Sequence, residues 1–209
     1  MNCGIITIMK LVLFILFCSL LGCSTIQVEL HPSGLDIHEI NPNKWTSITK
    51  QNLLHLTQVY DLTPVLFTKK IQIQSQIIPS SHPVLSLNTK YAESPDKILA
   101  IFLHEQFHWW ILKNQIRTNL AIIELKAFYP KAPQTQSSGK DSTYIHIIVC
   151  YLEYAALKYY LGNSKAKNVI REFIQKEKLY PWIFSEILKN EARIKKIILN
   201  QKLNPAPLI

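Results

Sequence analysis

Residues 98–112 read I-L-A-I-F-L-H-E-Q-F-H-W-W-I-L, and their only strongly polar members are His104, Glu105, Gln106 and His108. A helix that is apolar on every face is normally buried, and burying two imidazoles and a carboxylate is costly unless something satisfies them. The spacing H-E-x-x-H offers a way to do so. Positions i and i+4 of an α-helix lie one above the other, so His104 and His108 can turn nitrogens towards one Zn²⁺ ion, with Glu105 beside them as a base for a water molecule. The competing reading is a pair of core histidines satisfied by backbone or by a carboxylate.

Working outward, Ser94-Pro95-Asp96 is a helix start: Ser94 as cap, Pro95 in the first turn and Asp96 favourably set against the helix dipole. The central helix is therefore expected over residues 95–114. Upstream, residues 48–60 carry apolar side chains at helical spacing, whereas 65–74 and 84–89 alternate and are rich in β-branched residues. The latter two are expected to form an antiparallel pair joined over 79–83. Downstream, 119–129, 143–161, 165–178 and 182–199 read as helices, with Gly162 ending the second. Between the first two of these, 130–141 contains Pro130, Pro133 and Gly139 and reads as a mobile loop near the site. The expected fold is α+β: one domain over 46–202, in which a small antiparallel sheet precedes the H-E-x-x-H helix and the C-terminal half is helical.

A catalytic zinc site usually takes three protein ligands and leaves a fourth position open. The segment 144–157, Y-I-H-I-I-V-C-Y-L-E-Y-A-A-L, is a second mostly apolar helix, and His146 and Glu153 are its ionisable groups at neutral pH. Seven residues apart, they share one face at roughly 10 Å along the axis. Two buried helices with polar stripes can cross so that the stripes meet at a metal. Glu153 is the leading third ligand, which leaves His146 as a catalytic donor to the developing oxyanion; His146 itself, Glu124 and Asp141 are the alternative ligands. Cys150, between His146 and Glu153, reads as a small core residue.

The H-E-x-x-H helix resembles that of the zincin metallopeptidases. The extended subclass places a third histidine six residues after the second, but here that position is Asn114, and Ile111 stands where its glycine would be. The gluzincin-like arrangement, with a glutamate from a later helix, suits Glu153. That resemblance implies a Zn²⁺ peptidase in which Glu105 is the general base and an edge strand, here 84–89, pairs with an extended peptide or protein substrate. The combination L-H-E-Q-F-H-W (103–109), S-T-Y-I-H-I-I-V-C-Y-L-E-Y (142–154) and Y-P-W-I (180–183) is also similar to a family of uncharacterised bacterial proteins with an H-E-Q-x-H-W helix and an S-T-Y-x-H-x-x-V-C-x-L-E segment. This second resemblance implies that His146 and Glu153 act together. Two rival functions use the same residues: a partner-binding or polymer-binding envelope protein with a structural or absent metal, and a zinc amidase acting on peptidoglycan peptides.

Composition bounds the setting. The chain has 209 residues, 48% of them apolar, enough for one full-sized core. Residues 11–21, L-V-L-F-I-L-F-C-S-L-L, follow Lys10 and end at Gly22-Cys23, the layout of a signal peptide over 1–22, with Met9 as an alternative start. Leu20-Leu21-Gly22-Cys23 resembles a bacterial lipobox, which implies lipidation at Cys23, a linker over 23–45, and a membrane-anchored protein of the cell envelope. Ser24 after the cysteine favours the outer membrane. With Cys3 and Cys18 removed and Cys23 acylated, Cys150 is left without a disulfide partner. The net charge of +9 would fall to +8, since the leader holds Lys10 and no acid. The excess is concentrated near the C-terminus, and nucleic acid is not an expected partner outside the cell.

Overall fold

The computed structural model describes residues 34–134, 139 and 141–205. The leader, Met9 and Cys23 lie outside the described residues, as does the middle of the 130–141 loop. The described residues fall within one compact unit, His31–Ile209.

The fold is α+β. Strand β1 (Asp36–Ile40) leads into α1 (Lys44–Val59), a short 3₁₀ turn (Thr63–Val65), β2 (Lys70–Gln74) and β3 (Leu85–Leu87). Five helices follow: α2 (Pro95–Lys113), α3 (Gln115–Phe128), α4 (Ser142–Leu161), α5 (Asn163–Lys176) and α6 (Pro181–Asn200). Helix α1 begins where Asn43 accepts hydrogen bonds from the Trp45 and Thr46 amides while Thr46 Oγ1 accepts from the Asn43 amide, a reciprocal cap. Its inner face, Thr46, Thr49, Leu53 and Leu56, recurs every three to four residues.

The sheet corrects the expected topology. Its order is β1-β2-β3 and both pairings are parallel, with Ile37 opposite Ile71 and Ile71 opposite Leu85. Helix α1 carries the chain back between β1 and β2, the usual condition for parallel neighbours. The short connection from β2 to β3 suggested a hairpin, but its residue Ser80 forms an antiparallel bridge to Ser86 of β3. The stretch 79–83 is therefore part of a return path beside the sheet rather than a tight turn. Strand β1 and the Asn43 cap come from residues expected to be linker, so the folded unit starts before residue 46. The alternation of D-I-H-E-I is real, but it is short and mostly polar.

Helix α2 starts at Pro95 as expected, although Ser94 caps it through its carbonyl, which accepts from Lys97 and Ile98, and not through its side chain. Helix α4 is buried along most of its length and packs against α2, α3, α5 and α6. Gly162, at φ 82°, allows the chain to turn directly from α4 into α5. The polar groups of α2 and α4 thus meet where the two helices pack.

Candidate metal centre

Four residues of α2 and α4 are brought together. His104 Nδ1 lies 2.9 Å from Glu153 Oε2, and His104 Nε2 lies 3.3 Å from His108 Nε2. His146 Nδ1 donates to the Ser142 carbonyl one turn earlier, at 2.7 Å, so Nε2 is the nitrogen it has to offer. Candidate ligand atoms of His104, His108 and His146 all lie within 4.8 Å of one another, and so do those of His104, Cys150 and Glu153. Either group can hold a metal ion. His104 belongs to both because its two nitrogens face opposite ways.

The aromatic surroundings fix the ring planes. His104 and His146 lie nearly parallel with centroids 5.9 Å apart, and His108 meets His146 edge-on at 5.1 Å. Tyr180, just ahead of α6, stacks on His146 at 4.4 Å and on His104 at 5.5 Å. Sequence reading had Tyr180 only as part of Y-P-W-I, with no role attached. It also missed His82, which stacks on Trp109 at 4.2 Å, while the Trp109 indole N–H donates to the Ser81 carbonyl at 2.7 Å. The doubled Trp after H-E-Q-F-H was the available signal.

Burial sets the electrostatics. Burial, reinforced by the neighbouring histidines, holds His108 well below the ordinary imidazole range and His146 at about 4. Both are neutral, lone-pair-bearing ligands near neutral pH. Burial also opposes protonation of His104, but the Glu153 hydrogen bond and charge outweigh it and hold His104 up. Glu153 itself is pushed up by burial, so the pair is best described as sharing one proton. Burial raises Glu105 to about 7, with the Glu153 charge adding and His104 subtracting. Burial pushes the Cys150 thiol well above its ordinary value, in keeping with a core residue.

His104, Glu105, His108, His146 and Glu153 line one cavity of about 550 Å³, within the range of small-ligand sites. Its other walls include Ile78, Ser81, His82, Tyr91, Phe173 and Tyr180. Lys90 and Glu177, joined at 2.6 Å, line it as well, and the Tyr91 hydroxyl also donates to Glu177. Cys150 does not line the cavity.

Glu124, Asp141, Gln106 and the edge of β3 have other roles. Glu124 accepts from Gln201, and Asp141 pairs with Lys126 at 2.6 Å, so neither belongs to the cluster. Gln106 is structural: its carbonyl accepts from the Phe67 and Thr68 amides and its amide donates to the Thr68 carbonyl, tying the chain ahead of β2 to α2. The outer edge of β3 is already occupied, because Ser80 and Ser86 exchange both main-chain hydrogen bonds, at 3.1 and 2.7 Å.

Searches against family models, curated proteins and solved structures find no match for this chain.

Proposed function

We propose that the chain is a zinc-dependent hydrolase of peptide bonds in the cell envelope, tethered there through Cys23. The observation that carries this reading is the convergence of His104, His108 and His146 on one point, with the far nitrogens of two of them already engaged. Carboxylate-held and carbonyl-held imidazoles are the usual supports of metal-ligating histidines. The donor chemistry fits Zn²⁺: three imidazoles with ligand atoms within 4.8 Å of one another, two of them kept neutral by burial. The alternative group of His104, Cys150 and Glu153 would need a deeply buried thiol to ionise, and Cys150 is walled off from the cavity.

In this reading His146 takes the ligand role first given to Glu153, and Glu153 becomes the residue that orients His104. When bound, Zn²⁺ supplies Lewis acidity, polarising the scissile carbonyl and lowering the pKa of a water molecule. Glu105, which lines the same cavity, would accept a proton from that water and return it to the leaving amine. Tyr180 and His82 face the same cavity and supply aromatic walls for the substrate. A closed four-ligand structural site is disfavoured, because Glu153 is turned to the Nδ1 side of His104, away from His108 on the Nε2 side.

The test is metal content together with peptide hydrolysis. The full chain should bind zinc at about one per molecule, and Glu105→Gln should abolish hydrolysis while keeping the metal. A protein that neither retains zinc nor takes it up on reconstitution sinks the proposal and favours a binding module. Activity on peptidoglycan peptides but not on proteins would narrow it to an amidase.

A further inference from the structure

Helix α3 has two apolar faces. Thr118, Ala121, Ile122 and Leu125 are buried against the protein, while Ile116, Leu120 and Ile123 stand 80%, 46% and 64% exposed. The exposed three recur at i, i+4 and i+7, so they form one line along the helix. Leu112, 53% exposed near the end of α2, precedes this line. Single exposed apolar side chains are ordinary, but a row of large ones marks a surface that something covers.

The charge beside the stripe is mixed on α3 itself and basic on its neighbour. At roughly 100° per residue, Arg117 and Lys126 fall on opposite sides of the stripe, and Glu124, which accepts from Gln201, falls on the Arg117 side. Arg117 donates to the Lys202 carbonyl at 3.2 Å, and Arg193 lies 5.5 Å from the Phe128 ring centroid. These contacts bring the C-terminal part of α6 alongside α3. Over residues 189–202 that part carries Lys189, Arg193, Lys195, Lys196 and Lys202 against Glu191 alone. Lys126 is partly offset by Asp141. An apolar stripe beside a strongly cationic helix end is the pattern of a surface that lies in a membrane interface, its long basic side chains reaching headgroups.

We propose that this face docks on an anionic lipid surface, with Ile116, Leu120 and Ile123 seated at the acyl boundary and Arg117 and Lys126 among the headgroups. A second copy is the alternative occupant, since a two-fold contact through α3 would set Arg117 against Glu124; the cationic end of α6 beside the stripe is what favours the lipid surface. Among the described residues no helix is long and apolar enough to cross a bilayer, so α3 lies on the surface and does not span it. The proposal rests on neither the metal site nor the leader.

The test uses the full chain with vesicles of phosphatidylglycerol and phosphatidylcholine. Leu120→Trp places an emitter on the stripe, and Tyr159→Trp places one at the far end of α4, where Tyr159 is 55% exposed. With the spectrum of the parent chain subtracted, the added emission of L120W should shift to the blue and be quenched by brominated acyl chains; that of Y159W should not. Arg117→Gln together with Lys126→Gln should lower the preference for anionic over neutral vesicles by roughly fivefold per charge removed. The leader contributes equally to parent and variant, so the comparison isolates α3. Equal quenching of both reporters on vesicle-bound protein, or no binding to vesicles, overturns the proposal. So does a lipid-free dimer that Ile116→Ser dissociates, which would assign the stripe to a second copy.

Discussion

The Glu153 carboxylate meets His104 on its Nδ1 side, 2.9 Å away, while the Nε2 side faces His108. A carboxylate in that position sets the tautomer and the ring orientation of a ligand rather than binding the ion itself. Glu153→Gln should therefore weaken zinc binding by roughly 10- to 100-fold yet still saturate at the same stoichiometry. His146→Ala should remove stoichiometric binding. Competition with a chromophoric chelator measures both, and the reverse ranking would return Glu153 to the ligand set.

Protons compete with the metal unevenly across the three imidazoles. His146, at about 4, and His108, lower than usual, stay neutral until the solution is well acid, whereas Glu153 holds His104 up. As pH falls from 8 to 6, the apparent zinc affinity should drop with a slope well short of three protons per ion, carried by His104 and by Glu105, which titrates at about 7. Isothermal titration in buffers of differing ionisation enthalpy reports the released protons directly. A slope near three would mean that all three imidazoles are protonated in the metal-free protein.

Glu105 makes the stability of the metal-free protein depend on pH. Its folded pKa of about 7 lies above its ordinary 4.5, so the folded state holds the proton more tightly than the unfolded chain does. That contribution is fully present below pH 4.5 and is lost as pH rises through about 7. Glu105→Gln lacks this loss, so by pH 8 it should be more stable than the chelator-stripped parent by up to roughly 3 kcal/mol. Urea denaturation at pH 5 and pH 8 gives the comparison, and parallel pH profiles would contradict it.

Gln106 is buried and makes three hydrogen bonds to the main chain of Phe67 and Thr68. Gln106→Ala leaves those groups unpaired and opens a gap, which should cost roughly 2–4 kcal/mol in denaturation. Its zinc stoichiometry should be unchanged, separating the fold-holding residue of the H-E-Q-F-H run from the chemical ones.

The α2 and α4 helices were legible because each carries its few polar residues in a long apolar run, and burial of such residues demands partners. Their crossing followed from that demand. Three things were not legible. The hand of the sheet depended on β1, whose D-I-H-E-I is too short and polar to announce a strand. That Glu153 meets Nδ1 of His104 while His108 meets Nε2 is a matter of ring orientation, and spacing along a helix carries no such information. Tyr180 and His82 reach the cavity from connecting segments, where no periodicity marks them.

The bridge between Ser80 and Ser86 bears on ligand design. An extended peptide mimic built to add itself to the rim of β3 would have to displace the main-chain bridge that Ser80 already makes to Ser86. A compact chelating head that reaches the three imidazoles, joined to an aromatic body sized for the walls at Tyr91, Phe173 and Tyr180, meets no such competitor. Selectivity against peptidases with an open sheet margin would then come from what this protein's own backbone has closed off.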